Sequence, residues 1–395
     1  MRSPIQMRPV SARSSPASSR KSVVLPQPDG PSSTRHSPAS IVRSTWRNAA
    51  CAPNRFETPS NRTRTRVLYS DRMTGANFPT GREPSSFGDN RAWDVVGIGA
   101  NSVDYVHLLP GYPQPFGTFA KMKIEHQEVL CGGQMATAMC ACARLGLRAK
   151  YAGVTGTDEN GRRVRSELKR RGIDLADVII RDAQNQFAVI LVDQTNGDRI
   201  VLWDRDERLL MRERDIPVEA IAQARALHVD DVDQAAAIRA ATIAREHGVP
   251  VTSDIDRLTD RTQELIETVT IPIFAEHVPT RLTGGHDQEA ALAAMRRPHH
   301  RMLCVTLGDR GAMALDDAGV HHAPAFRVDA VDTTGAGDVF RGAFIYALLR
   351  GWATDEILRF ANAAAAVSCT RLGALGGIPS LEEVEGLVRT GAVRA

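Results

Sequence analysis

An α/β fold on a doubly wound, mostly parallel sheet is predicted by three features of this 395-residue chain. Apolar strand-like runs alternate with helical patterns, most clearly at 226–231, 235–247 and 249–256, which is the rhythm of β–helix–β units. Several of those runs end in carboxylates, where such sheets bind ligands. Near the C-terminus, Asp332-Thr333-Thr334-Gly335-Ala336-Gly337-Asp338 runs directly into an apolar segment at helical spacing.

The elements follow in order. Residues 93–104 read as a buried strand running into a loop that ends at Asp104. Gly97 and Gly99 do not make a dinucleotide fingerprint, because Ser102 stands where the third glycine belongs and no helix pattern follows. Residues 131–146 are a Gly-Gly turn opening an Ala-rich helix. Residues 149–156 form the next strand, and Asp158 starts a helix that stops at Gly172. Residues 187–192 and 200–203 flank an Asn-Gly turn and read as a β-hairpin. Asp230, Asp254 and Asp256 lie at strand ends. Residues 303–315 are a strand, a glycine turn and a second strand, and 360–369 belong to an Ala-rich helix.

Composition bounds the remainder. With 43% hydrophobic and 24% charged residues the chain is ordinary for a globular protein. No apolar run approaches bilayer length, and no apolar core of a secretory signal is present. Six cysteines without CxxC or zinc-type spacing imply reduced thiols in a cytosolic protein. The net charge of +3 averages two unlike segments. Residues 1–72 carry thirteen Lys and Arg against three acids (Asp29, Glu57, Asp71), which leaves 36 against 43 for the rest. The mildly acidic body argues against nucleic-acid binding by the folded part. Residues 1–90 are rich in Ser, Arg and Pro without apolar periodicity, so disorder is expected. A basic nucleic-acid-binding arm, an organellar transit peptide, and a true start at Met73 are the open readings, the last favoured.

The chemistry concentrates at 332–338. Gly335, Ala336 and Gly337 leave their backbone N–H groups accessible at a helix start, where unpaired donors and the dipole favour an anion. Asp338 beside them suits removal of a proton from a hydroxyl that attacks a phosphate. No Walker-type phosphate loop occurs.

The run from Asp332 to Ile345, with the Gly132-Gly133 turn and the layout between them, resembles the ribokinase/PfkB family of sugar and nucleoside kinases over roughly residues 93–390. The resemblance implies a ribokinase-like domain over 91–395, with helices on both faces of the sheet. It also implies a small β-sheet lid (about 105–130 and 185–205) that pairs two copies as a homodimer. The activity it implies is ATP-dependent phosphorylation of a sugar hydroxyl in the cytoplasm, with Mg²⁺ and K⁺ as cofactors. A ketose such as fructose is favoured; a nucleoside kinase or a catalytically impaired sensing homologue are the alternatives. By the same resemblance Asp338 is the general base, and Gly335, Ala336 and Gly337 form the anion hole. Asp104, Gly132, Gly133, Gln134 and Thr137 would hold the sugar. Thr306, Gly308, Gly311, Asn362, Ala365 and Gly373 would border the nucleotide. Asp230 would lie near Mg²⁺, and Asp332 and Thr334 near the monovalent cation. Arg199 is the lid cation to watch, either as solvated hairpin charge or as a contact for an anion. The chain departs from the family at Thr137, where Asn is usual, and at Met139, where a small residue is usual. The Asn-x-x-Glu motif is absent around 273–278, as in some ketohexokinase-like members.

Overall fold

The structure, a computed structural model, describes residues 91–195, 199–391 and 393. The expectations for residues 1–90 and for the Asn196-Gly197 turn lie outside the described residues. Among those, the strands are β1 (Trp93–Ile98), β2 (Ser102–Leu109), β3 (His126–Gly132), β4 (Ala149–Ala152), β5 (Val154–Gly156), β6 (Ile179–Arg181) and β7 (Phe187–Asp193), then β8 (Arg199–Asp204), β9 (Ala224–Asp230), β10 (Val251–Asp254), β11 (Ile273–Ala275), β12 (Leu303–Thr306), β13 (Ala312–Asp316) and β14 (Gly319–Ala323). The α-helices are α1 (Gln134–Arg144), α2 (Glu159–Arg170), α3 (Val218–Ala222), α4 (Gln234–Glu246) and α5 (Thr262–Thr268), then α6 (His277–Thr283), α7 (Gln288–Met295), α8 (Ala336–Leu349), α9 (Thr354–Ser368) and α10 (Leu381–Thr390).

The central sheet runs β4-β1-β9-β10, all parallel. Single bridges from Thr252 and Ile255 to Ile271 and Phe274 carry it on to β11-β12-β13-β14. Its last two strands are antiparallel. The alternation of side chains along β1 explains the two cores. Val95 packs with residues of α1, α8 and α9, whereas Val96 and Ile98 pack with residues of α4 and α5 on the opposite face. Strands covered on both faces read as continuous apolar runs, as 226–229 does.

A second four-stranded sheet, β3-β2-β7-β8, stands apart as the lid. Two expectations need correction. Residues 149–156 are two strands, because the chain leaves the central sheet at Gly153 and β5 pairs with β6 instead. Asp104 does not end the first strand; it sits inside β2, in register with Leu130 of β3 and Ala188 of β7. The lid sheet itself therefore carries it.

Candidate active site

The site is built where two helices begin. α1 and α8 cross closely because Ala138, Ala141 and Gly342 meet there; a Cβ at Gly342 would lie 2.6 Å from that of Ala141. The crossing brings both N-termini to one cavity of about 490 Å³, lined by Gly133 and Gln134 from α1 and by Gly335, Gly337 and Asp338 from α8. Gly335 caps α8 in the left-handed region (φ 77°), and a Cβ there would stand 2.6 Å from that of Ala374, so glycine is required twice over. Asp254, Asp256 and Arg257 line the cavity from the end of β10, and Thr306 does so from the end of β12. The lid adds Asp104, Val201 and Trp203.

Asp338 has no hydrogen-bond partner for its carboxylate among the described residues, and no protein acceptor meets the N–H groups of Gly337 or Asp338. Burial pushes the Asp338 carboxyl well above the ordinary carboxylate range, Asp254 pushes it further, and Arg341 pulls it back. Opposite, Ser102 donates to Asp104 Oδ1 (2.9 Å). Burial outweighs that bond and raises Asp104 as well. A Cβ at Gly132 would stand 2.6 Å from Asp104 Oδ2, so the Gly-Gly turn makes room for this carboxylate.

Other expected site residues lie elsewhere. Thr137 is fully buried, with its methyl beneath Gly335 and its hydroxyl unpartnered, and it does not line the cavity. Its place one turn into the tightly seated α1 is the reason. Asp230 is turned inward: it accepts from the amides of Ala100 (2.7 Å) and Val232 (3.1 Å), in space that a side chain at Gly99 would fill. Of the nucleotide-side residues, Thr306 lines the cavity, whereas Gly308, Gly311, Asn362, Ala365 and Gly373 do not. Asn362 instead ties α9 to β14 by donating to the carbonyl of Ala323 (2.8 Å).

Arg199 is partly exposed but not free. Its Nη1 donates to Thr334 Oγ1 (2.7 Å) and lies 3.5 Å from Asp332 Oδ1. Asp332 in turn accepts from the amides of Thr334 and Gly373 (both 2.8 Å). A guanidinium thus sits beside the two side chains that the resemblance gave to a monovalent cation. Among the described residues no group of three or more His, Cys, Asp and Glu stands ready for a metal ion. Mg²⁺ needs less, since it is commonly held by one or two carboxylates with water and phosphate oxygens. Asp256 faces the cavity and suits it, whereas Asp254 is engaged by Arg341 and Asp230 does not line the cavity.

One residue of the site had no role in the sequence reading. Arg341, from α8, lines the cavity although it is only 4% exposed, and its Nη2 pairs with Asp254 Oδ1 at 2.6 Å. Gln134 also hydrogen-bonds Asp254. The available signal was a lone charge in the apolar and small run Val339-Phe340-Arg341-Gly342-Ala343-Phe344.

A cavity between two helix starts beneath a β lid suits an α/β phosphotransferase, and comparison with known proteins specifies the class. A family model described as pfkB family carbohydrate kinase matches residues 109–381. Ribokinase of Haemophilus influenzae is 29% identical over 294 residues, covering 72% of this chain and 95% of that protein. Fructokinase-1 of Oryza sativa subsp. japonica is 29% identical over 320 residues, covering 73% and 96%. The crystal structure of a protein assigned as a ribokinase from Agrobacterium tumefaciens superposes with a TM-score of 0.70 at 30% identity, over 75% of this chain and 97% of that one. The chain belongs to the pfkB family of carbohydrate kinases, phosphotransferases with an alcohol group as acceptor.

Proposed function

We propose that this protein transfers the γ-phosphoryl group of ATP to a sugar hydroxyl in the cytoplasm, with a ketose such as fructose as the favoured acceptor. One juxtaposition carries the reading: the unpartnered carboxylate of Asp338 lines the same cavity as Asp104 and Gln134. Fructokinase-1 and ribokinase among the relatives support a free sugar as acceptor.

The residues divide the work. Asp104 and Gln134 orient the acceptor by hydrogen bonds to its hydroxyls. Asp338 takes the proton of the attacking hydroxyl, a task that its raised affinity for protons favours. The unpaired amides at the start of α8 hold the charge that develops on the transferring group. Mg²⁺, brought in with ATP and held by Asp256, would neutralise phosphate charge. Val201 and Trp203 of the lid exclude water, which would otherwise accept the phosphoryl group. The outward apolar face of β8 suits pairing of two copies through the lid.

The test is ADP release by the full chain with Mg²⁺ against ketoses, aldoses, sugar acids and nucleosides. Turnover with D-fructose is expected, and Asp104→Asn should raise the acceptor KM roughly 10- to 100-fold through loss of a charged hydrogen bond. Turnover with nucleosides alone would overturn the sugar assignment.

A further inference from the structure

We propose that Arg341 is a second, cationic part of the anion hole and binds the transferring phosphoryl group directly; this rests on the kinase reading above. Side chains on a helix lean towards its N-terminus. Arg341 lies four residues beyond Gly337 and three beyond Asp338, so its head group returns to the rim where those amides point. The coordinates agree: a Cβ built on Gly337 would lie 2.8 Å from Arg341 Nη1.

The environment is one that calls for an anion. A cation at the positive end of a helix is unfavourable by itself. Asp254 engages one edge of the guanidinium at 2.6 Å. The Nε–H stays buried without a partner, and an unmet donor on a residue this buried is costly. Asp338, the one carboxylate of α8, makes no hydrogen bond to it. A phosphoryl oxygen arriving over Gly335 and Gly337 would meet both the helix amides and Nη1 of Arg341, the guanidinium atom that lies beside Gly337. As it crosses from ATP to the acceptor oxygen, the P–O bond to ADP breaks, the new P–O bond forms and the hydroxyl proton passes to Asp338. Throughout the transfer the guanidinium stays in place against the equatorial oxygens, as positioned arginines do in other phosphoryl transfers.

The test compares the full-length protein with Arg341→Gln and Arg341→Lys. With D-fructose and Mg-ATP, Arg341→Gln should lower kcat about 100- to 1,000-fold with the acceptor KM within about threefold, and Arg341→Lys should recover part of the loss. By calorimetry, Mg-ADP alone should bind all three proteins alike. Mg-ADP with aluminium fluoride, which mimics the phosphoryl group in flight, should bind wild type more tightly than Arg341→Gln. If Arg341→Gln does not fold because Asp254 loses its partner, the double variant Asp254→Asn/Arg341→Gln carries the calorimetric arm. A folded variant with kcat within threefold and undiminished aluminium fluoride binding overturns the proposal. So does a loss that vanishes at higher pH, because Arg341 would then act only through the ionisation of Asp338. Wild type without turnover on any sugar defeats the kinase reading instead, and the calorimetric arm still decides the role of Arg341.

Discussion

The two sheets that meet at the cavity are built in opposite ways. Every residue of β10 is buried, and β1 and β9 are nearly so. In β8, by contrast, Val201, Leu202 and Trp203 are 48%, 54% and 62% exposed. The central sheet therefore holds Asp254 against movement, and the α1–α8 crossing does the same for Asp338. The outer strand of the lid, β8, has little buried surface to hold it in place. Its ties to the frame include the Arg199 bond to Thr334 and the stacking of Arg257 on Trp203, with the guanidinium 5.7 Å from the ring centre. Elements with few buried contacts open at low free-energy cost. Under the proposed function, the difference is a division of labour: chemistry beside the rigid sheet, admission of the acceptor by the loose one.

The largest effects should come from the rigid side. Asp338→Asn should lower kcat by about 10²- to 10⁴-fold, the usual contribution of a general base. Its unfolding midpoint should hold or rise, because a neutral amide replaces a carboxyl whose ionisation burial opposes. Stopped-assay rates and a melting curve on one preparation check both, and unchanged turnover would remove Asp338 from the mechanism. Phe360→Ala breaks the frame itself. Its ring is buried against Tyr346 (centroids 5.5 Å apart) and Trp352 (5.2 Å). Truncation should cost about 3–5 kcal/mol in denaturant unfolding.

A smaller effect comes from the buried acids beside the central sheet. Burial pushes the carboxyl of Asp230 up to about 7. Its folded value lies above the unfolded one, so the stability it contributes is present in full at low pH and is lost as pH rises through about 7. The unfolding midpoint should therefore fall between pH 5.5 and pH 8, and Asp230→Asn should flatten that slope. A midpoint that rises over this range would show that other groups dominate.

How far each sheet was legible in the sequence follows the same division. The α8 start was readable because small residues, a carboxylate and a helical apolar pattern lie consecutively. The β1–β2 junction was not, because only Gly99-Ala100-Asn101 separates the strands, and Asp104 was therefore assigned to the wrong element. Arg341 was overlooked because periodicity gives its spacing from Asp338 but not the strand opposite, where Asp254 waits. Thr137 was placed in the sugar site by resemblance alone, and the closeness of α1 to α8 seats it beneath Gly335. Pairings distant in sequence, such as Arg199 with Thr334, leave no local trace.

Loosening the lid should cost less than disturbing the frame. Arg199→Ala removes its bond to the catalytic loop, with both partners partly exposed. The expected result is a fall of about tenfold in kcat/KM, the size of one charged hydrogen bond, carried by the acceptor KM and not by stability. An equal loss in Mg-ADP affinity would mean that Arg199 organises the whole loop and not the lid alone.

The smallest expected change is Leu202→Ala. Val201 and Trp203 line the cavity, so the alternation of a strand turns Ile200 and Leu202 to the outer face of the lid. If water covers that face, truncation should shift stability by no more than about 0.5 kcal/mol, and activity should not change. If a second copy covers it, the same substitution removes buried apolar area. The unfolding midpoint should then fall and become dependent on protein concentration, and sedimentation should show a lighter species. The experiment thus decides whether the loose sheet stands alone or is completed by a partner.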